Sequence, residues 1–575
     1  MLGIKIRDTF ISLYENTRLT IDISHPIGII TDALDQLQGG YSYPIDIPLD
    51  DINRSVIGHV DRLDHDLILM QDEYCELWGE GVLILVGKVN IKKASRGRAS
   101  LFMVFESFKE LSDVLLPDLD LGGTRVLGAD EATRVALADD TLANPLDYDF
   151  VFAPIFNPRY RQLWIDGFPT AQQARYQNFW SSDDGAFAEY GVCAITPFVR
   201  LEYLLQRVFA YSGYTLDNQW LNTDELKKLL IYNNYNINSH TLPAISTWDE
   251  EINLVNHVPY RSSLELVKAL LGTYALGLFP DPHDKTMLLI PFKTLITNPI
   301  EDDWTDRAAA DYEYITDKNF IARWRYDLDE NDTLSILYTG NNVPDKVSEG
   351  SGLTARAMWA ALQYGHRYSI CDNTYYFIPF DPMTFAAIYL AQTQLEVRKT
   401  GSDKEYISPL IPLWNSHDLE TDGDINDTLP IQQQQLAAIE HVGYVKESAD
   451  AVQVCTSLRL FFYRGMQPYD TGISGTYPMT GITRYNIRGE QVGDYALTWD
   501  QTGGVYDAWW KLPYEMLASR KDVTRTLNLS IRDLVNFRFY HKYRIENQNY
   551  FITRLRYTLS MRGIGLAEAT MMTTL

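Results

Sequence analysis

Residues 541–559 read HKYRIENQNYFITRLRYTL. Beyond the polar turn ENQN, Phe551, Thr553, Leu555, Tyr557 and Leu559 alternate with Ile552, Arg554, Arg556 and Thr558. A period of two residues belongs to a strand, whose side chains point to opposite faces in turn. One face of this strand is mostly apolar and the other largely cationic, so it predicts a hairpin packed by one face on a core. Strand patterning also runs upstream, as in VQVCTSLRLFFYR (452–464). Residues 446–575 therefore read as a C-terminal β-rich domain.

The N-terminal region carries the same signature. Leu19, Ile21 and Ile23 alternate with polar residues, and Glu15-Asn16-Thr17 is a turn candidate, which predicts a hairpin over 3–24. LILM, CELW, the turn Gly79-Glu80-Gly81 and VLILVG predict another over 67–89, and SLFMVFES (100–107) completes a β-barrel or sandwich over 1–110. Within it lies GYSYPIDIPLDDINRSVIGHVDRLD (40–64). Proline donates no backbone hydrogen bond, so Pro44 and Pro48 belong on a sheet edge or a crossing segment, where they also block wrong pairing. Asp50 to Asp66 reads as a loop.

The middle of the chain is mixed. Residues 111–195 are expected to be a loop-rich insertion. Residues 196–300 hold two helix–strand units. In TPFVRLEYLLQRVFAYSGYTL, Thr196-Pro197 marks a helix start and Gly213 its end. In SSLELVKALLGTYALGLFPDPHDKTMLLIPFKTL, Ser262 and Glu265 form a capping box, Gly277 is the expected stop, and PDPHD turns a hairpin. Residues 301–445 read as mixed β and loop, with a hairpin over 320–338, a helix at 384–397 and another opening at Gln432–Gln435.

Charge narrows the function. The net charge is −26, which excludes a grip on duplex DNA that depends on many cations replacing counterions. Cys75, Cys193, Cys371 and Cys455 are too dispersed for a zinc site or disulfide framework and read as buried thiols. The N-terminus places charges where a signal peptide needs its apolar core, and no apolar run reaches membrane-spanning length, so no membrane anchor is expected.

Chemistry-bearing motifs are incomplete. His59-Val-Asp61-Arg-Leu-Asp64-His65-Asp66 lacks the imidazole spacing of a zinc hydrolase. Asp418-Leu-Glu420-Thr-Asp422-Gly423 opens like a calcium loop but has Leu429 where a bidentate Glu belongs. Asp302-Asp303 and Asp183-Asp184 are sequence neighbours, a poor arrangement for an acid–base pair. No phosphate-binding or nucleophile motif is present. No catalytic residue, metal or cofactor is assigned, and no enzyme activity is expected. Lys92, Lys93, Arg96 and Arg98 surround Gly97 as a charged hairpin tip or a contact for an acidic neighbour. FNPRYRQLWIDGF (156–168) offers aromatics for a core, an interface or a glycan.

Three blocks carry a resemblance. YSYPIDIPLDDINRSVIGHVDRL resembles the proline-rich strand, Asn-Arg and Gly segment of tail proteins in phages and prophages of Bacteroidota-type hosts. TPFVRLEYLLQRVFAYSGYTL resembles the helix and Gly-Tyr strand of the same group. GVYDAWWKLPYEMLASRKDVTRTLNLSIRDLVNFRFYHKYRIENQNYFITRLRYTLS resembles its C-terminal aromatic helix, Arg-Lys strand and closing hairpin. The resemblance implies a baseplate or tail-tip hub, similar to the central hub of contractile tails and to the N-terminal part of tail-associated lysins. It implies a mainly β protein with two tail-tube-like β-barrels plus helix–strand insertions, assembled as a homotrimer. Its partners would be the tail tube or distal tail protein, the tape-measure protein and a tip spike or fibre, with genome DNA only passing through the channel. The location implied is the virion tail tip, assembled in the host cytoplasm. No lysin domain is expected after the last hairpin. The candidate interface is Pro44, Pro48, Asp50, Asp51, Asn53 and Arg54 with the four basic tip residues. A glycan-binding tail-tip adhesin, a distal tail ring protein and a hydrolase are the alternatives.

Overall fold

The computed structural model describes residues 2–574 apart from 26–38, 62–71, 106–108, 164–171, 182–185, 189–192, 242–244, 282–283, 316–320, 328–345, 350–365, 370–373, 378–385, 390–393, 397–403, 421–431, 440–454, 470–474, 487–489 and 500–501. The protein is mainly β, with one large, mostly antiparallel sheet and several smaller ones. The large sheet has 15 strands, drawn from both ends of the chain and from residues 300–315. They are β1 (Leu2–Ile6), β2 (Thr9–Phe10), β3 (Arg18–Ser24), β4 (Gly40–Ser42), β5 (Ile45–Pro48), β6 (Glu73–Gly79), β7 (Val82–Ser95) and β8 (Arg98–Phe105), then β9 (Ile300–Asp303) and β10 (Ala308–Ile315), then β11 (Asp522–Leu527), β12 (Lys542–Ile545), β13 (Gln548–Ser560), β14 (Gly563–Ile564) and β15 (Ala567–Thr573). The main path runs β2-β1-β6-β7-β8-β4-β3-β13-β15-β11-β10.

The alternation at 551–559 produces the seam of this sheet. β13 pairs antiparallel with β3, setting Leu559 opposite Leu19, Tyr557 opposite Ile21 and Leu555 opposite Ile23. All six are buried. Cross-strand apolar pairs of this kind are the unit of sheet stabilisation. Strands read separately as an N-terminal and a C-terminal β region thus share one ladder and one core.

Alternation fixes which face is buried but not which strand is the neighbour. The hairpin expected over 3–24 does not form. Its turn is present, with Thr17 N–H donating to Tyr14 O at 2.9 Å. Yet β1 pairs with β2 and β6, while β3 pairs with β4 and β13. The second expected hairpin does form between β6 and β7. Its turn residues Glu80 and Gly81 both have positive φ, 52° and 84°, which matches the twist of a tight two-residue hairpin. The LILM segment of that expectation lies outside the described residues.

The helix–strand units are real but their ends shift. The first helix spans Leu201–Tyr211, because Phe198–Val199 is drawn into a short ladder with Phe150–Val151. Gly213, at φ 79°, ends it as expected. The second spans Ser263–Thr273 and carries the Ser262–Glu265 capping box. It stops before Gly277, because Ala275 takes the left-handed position at φ 49° and Gly277 enters the strand Leu276–Asp281. The two units join in one small sheet, where Thr215–Asn218 runs parallel to Thr286–Pro291.

Three further expectations are corrected. The insertion contains a helix, Glu131–Ala143, capped by Asp130; its alanines favour helix although its apolar stripe is weak. The helix expected at 384–397 is instead the strands Ala386–Tyr389 and Gln394–Glu396. The helix expected to open at Gln432 is the strand Gln432–Ala438, paired with Trp414–Glu420 and Ile155–Leu163. There the buried Gln435 amide donates to Thr483 Oγ1 and Tyr485 O, contacts that outweigh local preference. For the hairpin of 320–338, β-structure is present at Ile321–Tyr326, while its turn and second arm lie outside the described residues.

Candidate assembly surface

The proline stretch lies along β8. β4 and β5 follow one another down the same side of that strand, and the break between them falls at Tyr43-Pro44. At the break Ser42 Oγ accepts the Met103 N–H at 2.8 Å, taking the place of a backbone acceptor. Among the described residues β5 pairs with β8 alone, so Pro48 sits at the end of an edge strand. The segment that follows is a helix, α1 (Asp51–Ile57), where a loop is expected from the sequence. Asp50 caps it by accepting the Asn53 N–H at 2.8 Å. The Ser12 hydroxyl, with that N–H, holds the Asp50 carboxyl below its ordinary range.

Asn53 explains why this helix is there. It is fully buried, accepts from Ser12 N–H at 2.8 Å, and donates to Ser12 O at 2.9 Å and Pro48 O at 2.6 Å. It ties the end of β5 to the segment after β2, which leaves nothing of it for a partner. Arg54 is turned inward to Asp61 at 3.2 Å. Pro44 and Asp51 are exposed.

The basic residues sit at the far end of the β7–β8 hairpin, whose turn contains Gly97 at φ 84°. The register slips between Ile91 and Lys93, and this bulge exposes the consecutive residues Lys92 and Lys93 on a strand that otherwise alternates. Arg98 reaches Asp46 at 3.6 Å. Lys92, Lys93 and Arg96 are exposed and have no carboxylate partner among the described residues.

Two features of the surface escape sequence reading. The first is the outer face of the β3–β13 seam. Arg554 Nε and a terminal guanidinium nitrogen contact the two Asp22 oxygens at 2.7 and 2.5 Å, and Arg556 lies at 3.6 Å from the same carboxylate. Arg556 also donates to the Tyr43 hydroxyl and lies over that ring. Exposed Tyr41 packs beside Tyr43 at 5.8 Å. The cationic alternation at Arg554 and Arg556 is visible in the sequence; its partner 532 positions away is not.

The second is β10, the terminal strand of the main path, which among the described residues pairs only with β11. Seven of its eight residues are exposed, so both faces are open as well as its outer edge. Tyr312, Tyr314 and Ile315 are the exposed apolar groups, and Asp311 and Glu313 the exposed acids.

The candidate chemical motifs gain no geometry. Of the histidine–aspartate run, Asp64, His65 and Asp66 lie outside the described residues. In the acidic run, Asp418 and Glu420 belong to a strand and Asp422 lies outside the described residues. Asp302 accepts from Trp304 Nε1 at 2.9 Å, and Asp303 from Thr305 and Arg544, so the pair caps a turn. Asp183 and Asp184 lie outside. In FNPRYRQLWIDGF, Phe156 and Tyr160 are buried and unavailable to a sugar. Cys75 and Cys455 are buried free thiols, with burial pushing the Cys75 thiol up to about 12. Among the described residues, no group of three His, Cys, Asp or Glu side chains could hold a metal ion, and no helix is long and apolar enough to cross a membrane.

No protein-family model matches the chain, and no curated protein matches it. Two solved structures align with nearly all of it. One is the 43 kDa tail protein of prophage MuSo2 from Shewanella oneidensis, at 8% identity and a TM-score of 0.33, covering 99% of this chain and 97% of that one. The other is the tail protein from Neisseria meningitidis MC58, at 11% identity and a TM-score of 0.29, covering 99% and 95%.

Proposed function

We propose that this chain is a structural protein of a phage tail, a hub at the tail tip or baseplate that joins the tail tube to the tip. What supports the reading is the β3–β13 seam. The resemblance implies two barrel-like halves side by side within each subunit. Here strands from 2–105 and from 522–573 lie edge to edge in one sheet. The order of the sequence blocks points the same way. A homotrimer of such subunits offers six halves to the tube above it. The acidic balance suits a channel wall that repels passing DNA phosphates. The partners in this reading are the tail tube or distal tail protein, the tape-measure protein and a tip spike or fibre.

Immunogold labelling of purified tail particles with antibody to the chain tests the assignment. Gold at one end of the tail is expected. Particles that carry no label, or label along the whole tube, overturn it. Light scattering on the purified chain separates the two ring readings: a trimer fits the hub and a hexamer fits a distal tail ring.

A further inference from the structure

The unpaired basic hairpin tip and the open acidic strand are complementary, and they belong to strands six places apart in the sheet of one subunit. The tip carries Lys92, Lys93 and Arg96, exposed and without a carboxylate partner among the described residues. It gathers three such cations at one place in a chain of net charge −26. β10 presents Asp311 and Glu313 on one face and Tyr312 and Tyr314 on the other, and neither acid has an ion-pair partner among the described residues. β8 and β10 are six strand spacings apart along the sheet, which at about 4.8 Å each is roughly 29 Å. The tip and the edge of one chain are therefore on different parts of the sheet.

An exposed strand edge is a hazard that proteins blunt or cover. β10 is partly blunted, since its register with β11 slips between Ala308 and Tyr312. The regular ladder resumes at Tyr312–Ile315, and there three apolar side chains, Tyr312, Tyr314 and Ile315, stand exposed. Exposed aromatic side chains are enriched at protein–protein contacts.

We propose that the β7–β8 hairpin tip of one copy docks on β10 of a second copy. The contact is heterologous, since different surfaces meet, and repetition of such a contact closes a ring when the rotation allows. Lys92, Lys93 and Arg96 lie against Asp311 and Glu313, and exposed Ile315, on the same face as the acids, supplies the apolar contact. The inference rests on the tail-hub reading and names the surface through which its subunits meet.

The test uses the full chain in four forms: wild type, K92E/K93E/R96E, D311K/E313K, and all five changes together. Mass is followed by light scattering over a concentration series, with circular dichroism confirming that each form is folded. The wild type is expected to associate. Either charge reversal alone should raise the concentration needed by at least tenfold, and the combined form should recover most of the loss. A wild type that stays monomeric overturns the contact, as does association that neither reversal alters or a combined form no better than the single sets. If rings form without regard to these charges, the contact fails and the hub reading stands. Particles without the chain sink the hub reading itself.

Discussion

Arg554 holds both oxygens of Asp22 across a seam that joins the two ends of the chain, at 2.7 and 2.5 Å. Asp22 is almost fully buried, at 1% exposure, while Arg554 is half exposed. The geometry is the fork-to-carboxylate pairing that gives guanidinium its directional strength. Beneath it, Ile21, Ile23, Leu555 and Tyr557 form the apolar side of the same seam.

Replacing Asp22 by Asn keeps the shape and removes the charge. Arg554 and Arg556 are then neighbours without an anion. The expected loss is about 2 kcal/mol, the scale of charge-assisted hydrogen bonds. Arg556→Gln should cost clearly less, because its contact to Asp22 is 3.6 Å and its side chain is 38% exposed against 1% for Asp22. Urea unfolding of both variants checks this; equal losses contradict the geometry.

Asn53→Asp replaces a donor by an acceptor where Ser12 O and Pro48 O both need a donor. A carboxylate there is also buried without a cation. The expected destabilisation is about 2–3 kcal/mol. Asp51→Asn, one helical turn's edge away in solvent, should stay within about 0.5 kcal/mol. Thermal melts of the pair separate an architectural role for Asn53 from a surface one.

Gly87 pairs with Cys75 on one side and Phe105 on the other. A Cβ at this position would meet Val104 O at 2.4 Å and the Phe105 ring at 2.8 Å. The obstacle is partly backbone, so it cannot simply rotate away. Gly87→Ala is expected to cost about 1–3 kcal/mol by overpacking. Gly58, whose Cβ would meet nothing, is the control for space, although its φ of 79° adds strain of its own. A Gly87→Ala protein as stable as the wild type contradicts this packing.

His25 and His257 are both buried, and burial lowers each pKa to about 3. His25 Nε2–H donates to Phe539 O at 3.0 Å, a contact that only partly offsets the burial. In the unfolded chain both protonate near the ordinary value of about 6.5. Between those values the unfolded state binds more protons, so stability is full above about 6.5 and falls as pH drops toward 3. Each histidine contributes a slope of at most about 1.4 kcal/mol per pH unit. Denaturation at stepped pH should show a shallower decline in His25→Gln than in the wild type. An unchanged slope argues against a buried neutral ring.

The sequence by itself determined the class and the faces. Alternation at 19–23 and 551–559 gave strands with the right residues buried, the Glu80-Gly81 turn gave a hairpin, and the capping box at Ser262–Glu265 gave a helix start. These signals are local: a period, a φ preference and a side chain within three residues of its acceptor. Tertiary structure alone decided which strands meet. β3 takes β13 across more than 500 residues, Gln432–Ala438 becomes a strand, and Asn53 turns a proline-flanked loop into a clasped helix. It also left β10 open on both faces, which no local pattern in AAADYEYI announces. The physical reason is that burial and hydrogen-bond satisfaction are settled by neighbours in space. A strand's own residues say only that it needs neighbours.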